Sequence, residues 1–384
     1  MSAWLGGGLR RVVVATDEIP VLAYVWDKPY GPGRVAELTL QVLEVGPREL
    51  VLPQVTVRDE RPGRVFDSHA AVDLRVDPAN GGGPLVSSAA QQRARAFGMV
   101  NVAYHAQRAL GKVNELLGRE LPPLLVRIGL HEQRRCWGGG HYRVPARQFY
   151  PVESTPVAAT GEVHLGGGSG YVPAAGGGSY FAAPSHNLAI IYHEVGHHIC
   201  RHTADFRLNR LRPGSEQTNK KVAIEEGSCD LLTAIMLEDP DIYRWHRAML
   251  PESDQRRRQL DPRWTMAYFR GASTDPHADG TIWASACWSA RLAVVDRGYP
   301  ASRFDRMFLR GLTLAADAAG AVLDEDALRR LRYYSGLLGA MLRADPDLTD
   351  LVLGAMAAHG IQPAASNARL RDAARVNLAA AVAR

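Results

Sequence analysis

Apolar residues recur three and four positions apart through most of the chain after residue 185, which is the spacing of helices that bury one face. The same spacing before Gly118 predicts one long helix over Ser87–Leu117. The tail from Ala364 is rich in Ala and Arg and is predicted to be a surface helix. The other predicted helices cover His186–His202, Val222–Leu237, Thr281–Asp296, Ala301–Leu314, Glu325–Leu342 and Leu348–His359.

The pattern before residue 80 is different, because short segments rich in β-branched residues are separated by Pro and Gly. Val21–Val25, Glu37–Val45 and Leu50–Val57 are therefore predicted to be antiparallel strands, and the cluster at 80–84 marks a boundary or joint. Leu124–Gly129 predicts another strand. The glycine-rich stretch 136–183 predicts irregular strands, with a disordered linker as the alternative.

The composition narrows the classes of protein that fit. The chain has 384 residues, 46% hydrophobic and 22% charged, which is typical of a globular protein of two or three packed units. Its net charge of +5 is spread along the sequence, so we expect no nucleic acid partner. No run approaches the length of a membrane span, and no secretion signal is visible, so we expect no membrane association and favour the cytoplasm.

The four cysteines are widely spaced and form no CxxC pair of the kind that holds structural zinc. Buried free thiols are expected at Cys136, Cys200, Cys229 and Cys287. A disulfide between Cys200 and Cys229 is the alternative.

The first candidate for a functional site is the segment His193–His197, whose sequence is HEVGH. Helical residues four apart are separated by about 40° around the axis, so both imidazoles project from one face and can share an ion. Neutral imidazoles suit zinc, and Glu194 lies where a general base for an activated water belongs. The pattern predicts a catalytic zinc site.

A third protein ligand is expected downstream. The extended metzincin pattern would need a glycine at position 200 and a histidine at position 203, where the chain has Cys200 and Thr203. The segment EEGSCD offers Glu225 and Glu226, and only Glu226 has a second carboxylate, Asp230, four residues later. Asp230 on the same face can accept the free ring N–H of a ligand histidine. Glu226 is therefore the preferred ligand, and Glu225 remains an alternative.

HEVGHH followed by EEGSCD resembles the gluzincin peptidases, with thermolysin-like and fungalysin-like families the nearest by motif. Their third ligand is a Glu with an Asp one turn later, as at Glu226 and Asp230 here. The segment DPHADGTIWA is similar to their next motif, whose histidine stabilises the tetrahedral intermediate, which implies that role for His277. Arg270 is similar to an arginine that helps to hold substrate in thermolysin-like enzymes, although it lies closer to the histidine here.

The resemblance implies an α+β fold of gluzincin type, with two lobes and zinc at their junction. The expected organisation is a β-rich N-terminal region (1–83), an N-terminal catalytic lobe carrying the HExxH helix (84–215) and a helical C-terminal catalytic lobe (216–384). The expected function is a zinc-dependent endopeptidase, a selective processing enzyme being one form, with peptides or proteins as substrate. The alternative is a catalytically inactive, zinc-stabilised binding protein.

Overall fold

The computed structural model shows an α+β fold. It describes residues 16–25, 34–70, 88–130, 138–146, 156–168, 171–173, 179–181, 183–242, 258–271, 276–319 and 334–363. The boundary predicted at 80–84, Cys136 and the tail from Ala364 lie outside these residues. No helix in the described ranges has the length and apolar character needed to cross a membrane.

The strands form one six-stranded sheet and two small hairpins. The hairpins pair β1 with β2 and β9 with β10, and the order in the large sheet is β3-β4-β5-β6-β8-β7. The strands are β1 (Asp17–Val25), β2 (Arg34–Val42), β3 (Glu44–Val45), β4 (Glu49–Val51), β5 (Val55–Asp59), β6 (Leu124–Leu130), β7 (Gly140–Arg143), β8 (Glu162–Gly166), β9 (Tyr171–Pro173) and β10 (Ser179–Phe181).

The predicted strand Val21–Val25 lies within β1, but two predictions of single strands were wrong: Glu37–Val45 is divided between β2 and β3, and Leu50–Val57 between β4 and β5. The predicted antiparallel pairing is also only part of the arrangement. β5 pairs in parallel with β6, and β6 pairs in parallel with β8. Parallel neighbours need a long crossover, and the helix Ser88–Leu117 lies between β5 and β6 in the chain and provides it. Residues 44–59 therefore share a sheet with the segment expected to form the N-terminal lobe. The division of the chain into domains stays a prediction.

The helices agree with the predicted spacing, and the long helix is confirmed as α1 (Ser88–Leu117). The others are α2 (Leu188–His202), α3 (Ala223–Leu237), α4 (Pro276–Asp296), α5 (Ala301–Ala319), α6 (Tyr334–Ala344) and α7 (Thr349–Ala358). α4 begins five positions before the predicted Thr281, since Pro276 suits a first helical position. The predicted start at Glu325 lies outside the described residues.

α2 lies between the sheet and the C-terminal helices. It contacts α1, β7 and β8 on one side and α3 on the other, and α3 packs in turn against α4. Its first turn is capped by Asn187, whose side-chain oxygen accepts from the backbone N–H groups of Ala189 and Ile190. Fourteen of its fifteen residues are buried, so its polar side chains must find partners inside the protein.

The described cysteines, Cys200, Cys229 and Cys287, are buried free thiols. Cys200 lies on α2 and Cys229 on α3, and burial raises the pKa of the Cys229 thiol well above its usual value, with the neighbouring Cys200 adding to the effect. The alternative of a disulfide between them is not what the structure shows.

Candidate metal centre

The helices α2 and α3 approach closely because small residues lie at their crossing. A Cβ on Gly196 would lie 3.0 Å from the Cα of Cys229. Where α3 meets α4, a Cβ on Gly227 would overlap the backbone carbonyl of Gly280. These contacts bring the HExxH helix and the EEGSCD helix within side-chain reach of each other, and the start of α4 lies beside them.

The predicted ligands His193, His197 and Glu226 come together between α2 and α3. The Oε2 atom of Glu226 lies 3.1 Å from Nε2 of His193 and 3.5 Å from Nε2 of His197. One ligand atom from each of the three residues lies within 4.8 Å of the others, and no other such group occurs among the described residues. All three side chains are buried.

The far nitrogen of each imidazole is held by a second carboxylate. Nδ1 of His193 donates to Oδ1 of Asp230 over 2.8 Å, and Nδ1 of His197 donates to Oε1 of Glu225 over 2.8 Å. A carboxylate only accepts, so these bonds place a proton on each Nδ1 and leave each Nε2 lone pair facing Glu226. The structure thus places Asp230 against His193, a predicted ligand, whereas Glu225 orients His197 and does not belong to the trio.

Each outer carboxylate is neutralised by an arginine. Arg207 donates to both oxygens of Glu225 over 2.8 Å, and Nη1 of Arg258 donates to Oδ1 of Asp230 over 2.9 Å. Burial would raise the pKa values of both carboxyls, but these arginines and the ligand histidines lower them below their ordinary values. Two hydrogen-bonded series, His193–Asp230–Arg258 and His197–Glu225–Arg207, therefore fix the orientation of the two imidazole rings.

The loop after α2 delivers Arg207 through two strained positions. Asp205 and Leu208 adopt left-handed backbone angles, with φ of 48° and 53°, which residues other than glycine rarely adopt. Asp205 stabilises the turn by accepting from the backbone N–H groups of Asn209 and Arg210. The turn directs the Arg207 side chain inward, where it is buried against Glu225.

The donor set fits a divalent cation. With bonds of 2.0–2.1 Å, the ligand atoms of tetrahedral zinc lie about 3.3 Å apart, and the measured separations fall on both sides of that value. Three lone pairs pointed at one another are unfavourable without a cation between them. In addition, Oε1 of Glu226 is buried and accepts no hydrogen bond from the described residues.

The ionisation of the ligands points the same way. Burial lowers the pKa of His197, but the charge of Glu226 and the hydrogen bond to Glu225 outweigh it and raise that pKa well above its usual value. For His193, burial is likewise outweighed by Asp230 and Glu226, which raise its pKa. Both rings therefore lie in surroundings that favour a bound positive charge.

Glu194 lies on α2 between the two ligand histidines. Its side chain is buried, and Oε2 has no hydrogen-bond partner among the described residues. Gly140 of β7 lies against it, since a Cβ there would come 3.0 Å from Cγ of Glu194. A buried carboxylate oxygen without a partner is costly unless a ligand or solvent uses it.

His277, in the first turn of α4, joins the same centre. Its Nε2 lies 3.0 Å from Oε2 of Glu226, and its ring lies 5.9 Å from that of His193. The side chain is 16% exposed, so it lines the open side of the centre. Nζ of Lys221 lies 3.3 Å from the same nitrogen.

Arg270 is not brought into this cluster. Its side chain is exposed and makes no hydrogen bond or ion pair with a described residue, while its backbone N–H donates to Oδ1 of Asp279. Asp279 caps the segment before α4 through this bond and one to Gly271. The segment thus fixes the start of α4, and with it the position of His277.

His198, the residue that follows His197 on α2, points away from the predicted ligands. Its Nε2 donates to the backbone carbonyl of Pro122 over 2.8 Å, and its Nδ1 lies 3.1 Å from the Tyr142 hydroxyl. Burial lowers its pKa to about 3, so the ring is neutral. It ties α2 to the sheet beside the centre.

Sequence reasoning missed Arg207, Arg258 and Lys221, because none of them stands in a recognisable spacing from the motifs. Only the excess of carboxylates in EEGSCD hinted that cations would be needed nearby. No known protein family matches the chain, and no curated protein is significantly similar to it in sequence. The interpretation of the centre therefore depends on its own geometry and on the resemblance of its motifs.

Proposed function

We propose that the chain is a zinc-dependent peptidase of gluzincin type, with His193, His197 and Glu226 as metal ligands. The observation that carries the proposal is the convergence of two imidazole nitrogens and a carboxylate oxygen beside Glu194, whose Oε2 has no hydrogen-bond partner among the described residues. Two imidazoles and one carboxylate are a typical catalytic zinc set that keeps a position open. Zinc is preferred because imidazole nitrogen and tetrahedral spacing suit it.

The residues around the ligands supply the remaining chemistry. His193, His197 and Glu226 would hold a zinc ion, which would supply Lewis acidity to a peptide carbonyl and to a water molecule. Glu194 accepts a proton from the water as the water oxygen attacks the carbonyl carbon. It then gives that proton to the leaving amine as the C–N bond breaks. His277 donates a hydrogen bond to the developing oxyanion. Asp230 and Glu225 keep the ligand rings oriented.

The neighbouring sheet supports a peptide as the substrate. β7 is the last strand of the large sheet within the described residues, and it lies against Glu194 through Gly140. An extended peptide can add to such an edge through main-chain hydrogen bonds, which recognise any sequence in the extended state. A peptide bound there would run past the proposed base.

The test compares the native chain with Glu194→Gln, both loaded with zinc. Both proteins are expected to hold one zinc per chain, because Glu194 is not a ligand. The variant should cleave a mixed peptide library more slowly by a factor of about 100 to 10,000, the usual loss on removing a general base. Metal content and cleavage rates measured on the same preparations decide the matter. Equal cleavage by the two proteins would contradict the role of Glu194.

A zinc-stabilised binding protein is the second candidate, and one observation favours it. Nε2 of His277 lies as close to Oε2 of Glu226 as the ligand imidazoles do, so a small movement would let it complete a closed coordination shell, which is typical of structural zinc. That candidate predicts zinc in the native chain, strong stabilisation by the metal and no peptide cleavage at any zinc loading.

A further inference from the structure

Lys221 is the exposed cation of the proposed active site. It lies two residues before α3, and its Nζ is 3.3 Å from Nε2 of His277, which in turn is 3.0 Å from Oε2 of the ligand Glu226. The ammonium is therefore within two hydrogen-bond lengths of the ligand set. It stands beside the histidine that we assign to the oxyanion.

Among the residues that the structure describes, Lys221 forms no ion pair with the carboxylates around the centre. Glu225 is engaged by Arg207, and Asp230 is engaged by Arg258. Glu226 faces three imidazole nitrogens. Lys221 makes no ion pair with a carboxylate anywhere in the described ranges, although it is surrounded by a site rich in acidic residues.

The net charge on the open side follows from this pairing. Because each outer carboxylate is matched by an arginine, Glu226 and Glu194 are the carboxylates left to offset the two positive charges of a bound zinc ion. Lys221 adds a further positive charge on the side where His277 is partly exposed. A negatively charged group approaching His277 would meet an ammonium that forms no ion pair with a carboxylate of the described residues.

We infer that Lys221 selects substrates with a carboxylate close to the scissile bond. The inference rests on the proposed peptidase function and names the substrate class for it. An extended chain advances about 3.3–3.6 Å per residue, so a group contacting Lys221 belongs to a residue next to the cleaved bond or one further along. An acidic side chain and a free C-terminal carboxylate both provide that chemistry.

The experiment uses the full zinc-loaded chain and a neutral peptide that it cleaves, chosen from a library. One arm places Asp or Glu, against Asn or Gln, at each position flanking the cleaved bond in peptides blocked at both ends. The other arm keeps neutral side chains and compares a free with an amidated C-terminus one or two residues beyond the bond. The two arms separate the two sources of the carboxylate.

The native chain should favour the carboxylate in one arm by about ten-fold in kcat/KM, as expected for a charge-assisted hydrogen bond. The preference should lie mainly in KM, because the contact is made before and during the reaction alike. Lys221→Ala should bring the ratio near one, Lys221→Arg should keep it, and Lys221→Glu should reverse it toward peptides with Lys at the same position. A merely structural role for Lys221 would not produce that reversal.

Lys220→Ala is the matched control. Lys220 is the adjacent exposed lysine, so its removal changes the net charge equally without touching His277. Its ratio should equal that of the native chain. Cleavage with no preference for a carboxylate in either arm, or an equal loss in Lys220→Ala and Lys221→Ala, would overturn the inference while leaving the peptidase intact. Absence of any metal-dependent cleavage would overturn the proposed function, and the inference with it.

Discussion

Glu225 and Glu226 are neighbours in sequence with different roles in the centre. Glu226 directs Oε2 at both ligand imidazoles, whereas Glu225 accepts from Nδ1 of His197 and from Arg207. The difference follows from the helix, which turns about 100° between adjacent residues. The two carboxylates therefore point in different directions, Glu225 to Nδ1 of His197 and Glu226 to its Nε2.

Replacing each glutamate by glutamine should separate these roles. Glu225→Gln keeps an acceptor for His197 but loses its charge, so we expect zinc affinity to fall by about 10- to 100-fold, as when outer partners of metal ligands are changed. Glu226→Gln removes a ligand charge and should cost far more. Competition with a chelator of known zinc affinity measures both. A larger loss in Glu225→Gln than in Glu226→Gln would exchange the two assignments.

At the scale of elements, the centre depends on three helices that cross with almost no space between backbones. Gly227 of α3 meets Gly280 of α4, and Gly280 also lies against the carbonyl of Ala223. α3 carries Glu226, and the first turn of α4 carries His277. The distance between the side chains of Glu226 and His277 therefore depends on the contact between Gly227 and Gly280, where there is no room for a Cβ.

Gly227→Ala should destabilise the protein and disturb the centre together. The added methyl group would force α3 and α4 apart, and we expect a loss of about 1–3 kcal/mol or more in the free energy of unfolding, with weaker zinc binding. Gly354→Ala is the control, because Gly354 lies in α7 with open space around the added Cβ. It should be neutral or stabilising by up to about 1 kcal/mol. Urea unfolding compares them, and equal effects would refute the close crossing.

At the scale of the whole molecule, buried neutral histidines connect the first helix to the rest of the core. Nε2 of His186 donates to the carbonyl of Ala94 in α1, and Nε2 of His105 in α1 donates to the carbonyl of Tyr24 in β1. Burial lowers the pKa of His186 to about 4 and that of His105 to about 3. Both rings are neutral in the folded protein at neutral pH.

These histidines should make the fold sensitive to acid. Below the unfolded-state pKa of about 6.5, each binds a proton in the unfolded chain and none in the folded one, so each removes up to about 1.4 kcal/mol of stability per pH unit as the pH falls toward its folded-state value. His186→Gln should reduce this slope between about pH 7 and about pH 5. Urea unfolding across that range compares the variant with the native chain, and identical slopes in the two proteins would contradict the prediction.

The sequence by itself determined the features that depend on local spacing. Helical periodicity located α1, α2 and α3, and the four-residue interval of HEVGH placed His193 and His197 on one face because an α-helix repeats every 3.6 residues. The same interval paired Glu226 with Asp230, and the structure brings both to His193. These relations are fixed within single helices, so the chain order alone reveals them.

Only the tertiary structure decided the relations between elements. Three such relations are the parallel pairing of β5 with β6, the arginines that neutralise Glu225 and Asp230, and the contact of Lys221 with His277. The residues in each are separated along the chain by intervals that match neither the helix nor the strand period. Arg207 reaches Glu225 through a loop with two left-handed residues, and Arg270 turns outward although its sequence neighbours fix α4. Such contacts depend on how helices cross and where loops turn, and those are set by packing of the whole core rather than by any local pattern.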